Sequence, residues 1–231
     1  MSTDDIILKH PPATEVQISV AFSNNFEVAD QRSRFYNLAR AEFPIIMMPE
    51  QSKMAYDFAD YALYRQDTAD RIEVGMNYFR LASTRYPGFR KFRDLFMGTF
   101  NTFLQCYEIK YFTLLSMSYG NFLPLEANQK YKDVFALTVN LPGSEVPELF
   151  AGQGVLVFQK PQGFLTVQLE PKSEGLQVKS YLMNLLFTTR PDTPPFEKTL
   201  VADHLDIAHE YLKRFFFEVL TKRYIEYLRA K

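Results

Sequence analysis

With 231 residues, of which 47% are apolar, the chain carries enough hydrocarbon for one sizeable core. A formal net charge of −1 excludes the global basic excess usual in a domain that wraps nucleic acid. The single cysteine, Cys106, excludes an intramolecular disulfide and points to a reducing compartment.

The chain opens on Met1-Ser2-Thr3-Asp4-Asp5, which has neither the basic n-region nor the apolar h-region of a secretion signal. No uncharged apolar run approaches the roughly 20 residues that span a bilayer. A cytoplasmic protein without a membrane partner is therefore expected. Glu15 to Phe22 alternates, with Val16, Ile18, Val20 and Phe22 on one side, which predicts a strand with one face on a core. Val28 to Phe43 places Phe35, Leu38, Ala39 and Phe43 at helical spacing, with acidic residues near its start and Pro44 as its stop. Met54 to Tyr64 and Arg71 to Phe79 read as two more strands. Pro87-Gly88 breaks the chain. After it, Phe89, Phe92, Phe96, Phe100, Phe103 and Tyr107 step by three or four, which predicts an amphipathic helix buried against a sheet. Lys110 to Phe122 is apolar on both faces and reads as a central strand.

The second half begins near Val134. Phe135 to Leu141 is expected to be a short strand. Val155 to Phe158 and Phe164 to Leu169 flank Lys160-Pro161-Gln162-Gly163, a good turn sequence. Leu176 to Thr188 reads as a long strand, and the prolines between Arg190 and Pro195 as a loop. One long helix is expected from Val201 to Leu228, with Leu205, Ala208, Leu212, Phe216, Val219 and Arg223 along one side. The 22 Phe and 14 Tyr suit thick packing between helices and sheet. The pattern predicts an α+β fold: an antiparallel sheet with long helices packed on one face. Residues 1–231 form one compact domain in this reading. A pseudo-duplicated unit of two intimately packed halves, 1–130 and 131–231, is the finer alternative.

Three segments carry a resemblance to a sporadically distributed prokaryotic family of proteins with no assigned function. They are Pro11-Pro12 with Glu15 and Val16 entering a strand, Met117-Ser118-Tyr119-Gly120-Asn121, and the helix Leu205-Asp206-Ile207-Ala208-His209-Glu210 with Phe216 and Thr221 beyond it. The family tends to carry an Arg-Tyr-hydrophobic-Asn motif at the second segment. Tyr119 and Asn121 match that motif, whereas Ser118 and Gly120 depart from it. The resemblance implies a prokaryotic or phage source and brings no reaction with it.

Asp206, His209 and Glu210 share one helix face at i, i+3 and i+4. Such a face can hold a metal or an Asp-oriented general base, but no further ligand is evident and His204 lies off that face. Acidic residues near a helix start are also favoured by the dipole alone. A functional His209 would sit in a concave pocket with Tyr119 or Asn121 converging on it. A structural Asp206 would accept a hydrogen bond from backbone or from a nearby Tyr or Arg. Arg85, Arg90, Lys91 and Arg93 form the densest basic run, interleaved with Tyr86, Phe89 and Phe92. That mixture can bind single-stranded nucleic acid, or be a solvated helix face.

No phosphate-cradling glycine loop or nucleophile elbow is present. No catalytic residue, metal or cofactor is therefore expected. The leading reading is a non-enzymatic interaction or regulatory protein, a subunit or adaptor of a prokaryotic or phage assembly. Protein partners or self-association are expected, with Tyr residues among 56–64 as contact points. Nucleic-acid binding across a concave sheet is the second reading, and a metal-dependent or general-base hydrolase the third.

Overall fold

The computed structural model describes residues 8, 11–47, 61–66, 70–126, 129–137, 154–175, 177–190 and 194–230. It is a mixed α and β fold dominated by a ten-stranded sheet. Strands β1 (Ala13–Phe22), β2 (Ile45–Met47), β3 (Tyr61–Tyr64), β4 (Arg71–Gly75), β5 (Tyr78–Ser83) and β6 (Tyr111–Pro124) come first in the chain. Strands β7 (Gly154–Lys160), β8 (Gly163–Glu174), β9 (Gln177–Thr189) and β10 (Phe196–Glu197) follow. The spatial order is β2-β3-β4-β5-β1-β6-β9-β8-β7, with β10 pairing beside the start of β6. Every pairing is antiparallel.

β6 is the central seam. It pairs with β1 from Ala13↔Asn121 to Phe22↔Phe112, and with β9 from Ser116↔Thr188 to Pro124↔Ser180. The period-two pattern of β1 holds: Val16, Ile18, Val20 and Phe22 are buried, whereas Glu15, Gln17 and Ser19 are not. The uncovered set of neighbouring strands carries an ion network in which Arg71 bonds Glu15 and Glu73, and Arg80 also bonds Glu73, each at 2.8 Å.

The helices are α1 (Phe26–Asp30), α2 (Arg32–Ala39), α3 (Phe89–Cys106), α4 (Tyr131–Val134), α5 (Val201–Val219) and α6 (Lys222–Ala230). Phe92, Phe96, Phe100 and Phe103 of α3 are completely buried, as their spacing requires. Phe79 of β5 lies among Phe35, Phe96, Phe100 and Phe103, with ring centroids 5.0–6.0 Å away. α5 packs on β6 and β9 through Leu205, Ala208 and Leu212.

Local readings change in four places. The helix expected from Val28 is two short helices, broken where Gln31 leaves helical geometry at φ −111° and ψ 31°. The strand expected from Arg71 to Phe79 is the hairpin β4–β5, turned at 76–77 with Gly75 facing Tyr78. In place of the strand expected from Phe135 to Leu141, Phe135 follows the one-turn α4 and makes a single bridge to Leu220; residues 138–141 lie outside the described residues. The long C-terminal helix breaks at Leu220 and Thr221. There the backbone extends so that Ala136 N–H donates to Val219 O and Thr221 N–H to Val134 O, both at 2.8 Å. Thr221 also donates its hydroxyl to Asp133 O at 2.6 Å and accepts from Tyr224 N–H, which caps α6. Arg223 consequently points to solvent and is not part of the apolar stripe.

The β7–β8 turn falls on Lys160-Pro161-Gln162-Gly163 as expected. Gly163 sits so close to β9 that a Cβ there would lie 2.2 Å from Thr188 O and 2.7 Å from Phe187 Cζ. Backbone cannot yield as a flexible side chain does. Gly163→Ala is expected to cost about 1–3 kcal/mol, seen as a lowered thermal midpoint.

Candidate functional site

A cavity of about 710 Å³ opens where the starts of β1 and α3 meet the middle of α5. Its hydrocarbon wall includes Pro11, Pro12, Leu185, Leu212, Phe216 and Phe217. Gly88, with φ +92°, turns the chain into α3 in a conformation that L side chains rarely adopt. That turn sets Tyr86, Phe89, Arg90 and Lys91 on the cavity's edge.

Crossing the wall is a polar chain. Tyr86 Oη lies 3.0 Å from Tyr119 Oη, and Tyr119 Oη lies 3.0 Å from His209 Nδ1. The His209 ring stacks on Phe89, with centroids 3.8 Å apart and planes within 8°. Asn121 is buried beside this chain and donates Nδ2–H to Met183 O at 3.1 Å and to Tyr119 O at 3.3 Å.

Burial is the main influence on these groups. Together with nearby Lys213, it pushes the His209 imidazole down to about 4. Burial also raises the Tyr119 hydroxyl well above its usual range, aided by Tyr86, and raises Tyr86 as well. All three are neutral near pH 7. Two polarities satisfy the chain. Either both hydroxyls donate toward His209, whose Nε2 then carries the proton, or His209 donates through Nδ1 and the sense reverses. A base with so low a pKa accepts protons poorly at neutral pH, so the arrangement suits hydrogen bonding to an occupant better than proton abstraction.

Three of the expected cluster therefore converge: His209, Tyr119 and Asn121 all line the cavity. Asp206 does not. It accepts a hydrogen bond from Arg93 Nη2 at 3.1 Å, one face of α5 pairing with one face of α3. Glu210 is exposed and also lies off the cavity. Asp206, His209 and Glu210 share a helix face, yet α5 rolls only its imidazole edge inward. Asp206 is exposed and its partner Arg93 half-buried, so solvent screens the pair in part and Asp206→Ala is expected to change stability by about 1 kcal/mol or less, measured by denaturant midpoint. His204 packs on Phe196 instead. Among the described residues no group of three His, Cys, Asp or Glu can hold a metal ion.

The basic run divides. Arg93 is paired, Arg90 and Lys91 edge the cavity, and Arg85 is exposed in the loop before α3. Tyr61 is buried and Tyr64 half-buried, which removes both as prominent contact points; Tyr56 lies outside the described residues. Sequence reading passed over the Tyr86 hydroxyl and Lys213. The one available signal was that Tyr86 stands just before the Pro87-Gly88 break that leads into α3. Among the described residues no helix is long and apolar enough to cross a membrane. Comparison of this chain with known proteins finds no matching family model, no similar curated protein and no similar solved structure.

Proposed function

We propose that this chain is a non-enzymatic binding protein, a regulatory subunit or adaptor, whose recognition site is the cavity between α3, α5 and β6. The observation that carries the reading is the hydrogen-bond chain Tyr86–Tyr119–His209, set in a hydrocarbon wall and neutral at physiological pH. Apolar cavities with a few convergent polar groups are the usual form of a small-molecule or side-chain site. The three segments that resemble the prokaryotic family also meet here: Pro11 and Pro12, Tyr119 and Asn121, and His209. We keep a prokaryotic or phage source, and membership of an assembly, as proposals on that basis.

The finer architecture belongs to the same proposal. α3 and α5 are taken to cover one face of the sheet, each closing one half, 1–130 and 131–231, of a repeated strand-and-helix plan. Support comes from the burial of alternate residues along β1, β6, β8 and β9 and from the contacts of α5 with both β6 and β9. The nucleic-acid reading has less support, because Arg93 is engaged with Asp206 and the uncovered side of β1, β4 and β5 pairs its arginines with Glu15 and Glu73.

The test uses an uncharged solvatochromic dye, Nile red. One dye per chain is expected to bind wild type. Ala13→Phe, a half-buried lining position, should weaken it by at least about tenfold by narrowing the cavity. No dye binding by wild type, or an unchanged affinity in Ala13→Phe, would show that the cavity is not the recognition site.

A further inference from the structure

We propose that the cavity takes an amphipathic anion, a ligand with a hydrocarbon body and one small oxyanion head, carboxylate or phosphate. The inference deepens the reading of this cavity as a binding site and rests on it. Its first support is the charge of the lining. Arg90, Lys91 and Lys213 contribute to the wall, and no Asp or Glu does so among the described residues. In a chain whose acids and bases nearly balance, three cations without a carboxylate among the described lining residues are a local asymmetry. Arg90 and Lys91 are exposed and form no ion pair with described residues. They can turn to an incoming head without first breaking a bond.

The second support is the backbone that carries those cations. Arg90 and Lys91 lie in the first turn of α3, whose N-cap is Gly88 and makes no side-chain cap. The free N–H groups of a first turn carry partial positive charge, so an oxyanion beside them meets donors and cationic side chains together. Gly88 itself lines the cavity, so this helix end belongs to the same space.

The third support is the remainder of the wall. Pro11, Pro12, Leu185, Leu212, Phe216 and Phe217 offer nothing but hydrocarbon to a ligand. A purely ionic ligand such as free phosphate would leave this surface in contact with water, losing about 25 cal/mol for every Å² not covered. A purely apolar ligand would make no use of the exposed Arg90 and Lys91. The volume of about 710 Å³ lies within the roughly 300–1,000 Å³ of small-molecule sites. The neutral chain of Tyr86, Tyr119 and His209 adds one donor, at one of its ends, without a competing charge.

Isothermal titration calorimetry with four twelve-carbon probes, each below its micelle concentration, tests the proposal. They are dodecanoate, dodecyl phosphate, dodecanol and dodecyltrimethylammonium. Both anions are expected to bind at least about tenfold more tightly than dodecanol, and the cation more weakly still. The ratio of the two anions identifies which head is preferred, and either order supports the proposal. The double variant Arg90→Ala/Lys91→Ala should remove most of the anions' advantage over dodecanol, with Lys213 and the first turn of α3 keeping the remainder. Its positions are exposed, so folding should survive, and an unchanged thermal midpoint confirms it. Equal affinity for dodecanoate and dodecanol, or an anion advantage over dodecanol that the double variant leaves at its full size, would overturn the inference while leaving the binding site intact. Failure of all four probes together with Nile red would instead sink the binding reading beneath it.

Discussion

Phe96→Ala is expected to lower the stability of the chain by about 3–5 kcal/mol, enough to remove much of the stability of an ordinary domain. Phe96 is fully buried, stacked on Phe100 at 5.3 Å and edge-on to Phe79 at 5.8 Å. Truncation would remove its transfer free energy and leave a void that aromatic neighbours cannot collapse into without leaving their own rotamers. Urea denaturation followed by tyrosine fluorescence and circular dichroism would measure the change. Phe89→Ala provides the contrast. Phe89 lies on the same stripe but is half-buried and stacks on His209, so its loss should be clearly smaller. Equal losses at the two positions would show that the aromatic cluster around Phe79 is not the centre of the core.

The second large effect is on the pH dependence of stability. Burial and Lys213 hold the folded His209 at about 4, whereas in the unfolded chain it titrates near 6.5. Above about pH 6.5 the imidazole is neutral in both states, and its contribution is fully present. As the pH falls from about 6.5 toward 4, the unfolded chain takes up a proton that the folded chain refuses, and stability is lost. Near pH 5 the loss from this one group is on the order of 2 kcal/mol as an upper bound. His204 is shifted in the same direction by its own burial and adds to the slope. Denaturant titrations near pH 7.5 and near pH 5 should show a smaller drop for His209→Gln than for wild type. Gln keeps a hydrogen-bonding group toward Tyr119 and removes the titration. Parallel drops in the two proteins would mean that His209 is not held neutral by the fold.

The elements that could be read from sequence are those whose cause is local. The stripe of α3 repeats at helical spacing and ends in a buried face. The alternation of β1 and the turn before Gly163 behave likewise. The break between α5 and α6 has no comparable signature, because neither Leu220 nor Thr221 ends a helix by itself. It exists because Asp133, Val134 and Ala136, distant in sequence, hydrogen-bond to that stretch. The hairpin turn at 76–77 did leave a signal, Gly75 and Asn77, but it is short and set between the strand-forming Ile72, Val74, Tyr78 and Phe79. In the site, spacing placed Asp206, His209 and Glu210 on one face, but spacing cannot say which part of that face meets a neighbour. The packing of α5 against α3 and β6 decided it, turning Asp206 to Arg93 and His209 to Tyr119.

The position of β6 at the centre of the sheet also governs how the chain is made. A nascent chain that has emerged as far as Pro124 can pair β6 with β1, because β1 through β5 are already present. The other edge of β6 waits for β9, whose first residue, Gln177, is about fifty residues later. At roughly 5–20 residues per second, a ribosome leaves that edge open for about 3–10 s. During this interval a long strand presents unpaired amides together with Met117 and Leu123, which are buried in the finished fold. The cover that α5 gives β6 and β9 arrives last of all. Synthesis therefore passes through a state with an adhesive edge, open between the emergence of Pro124 and that of Gln177.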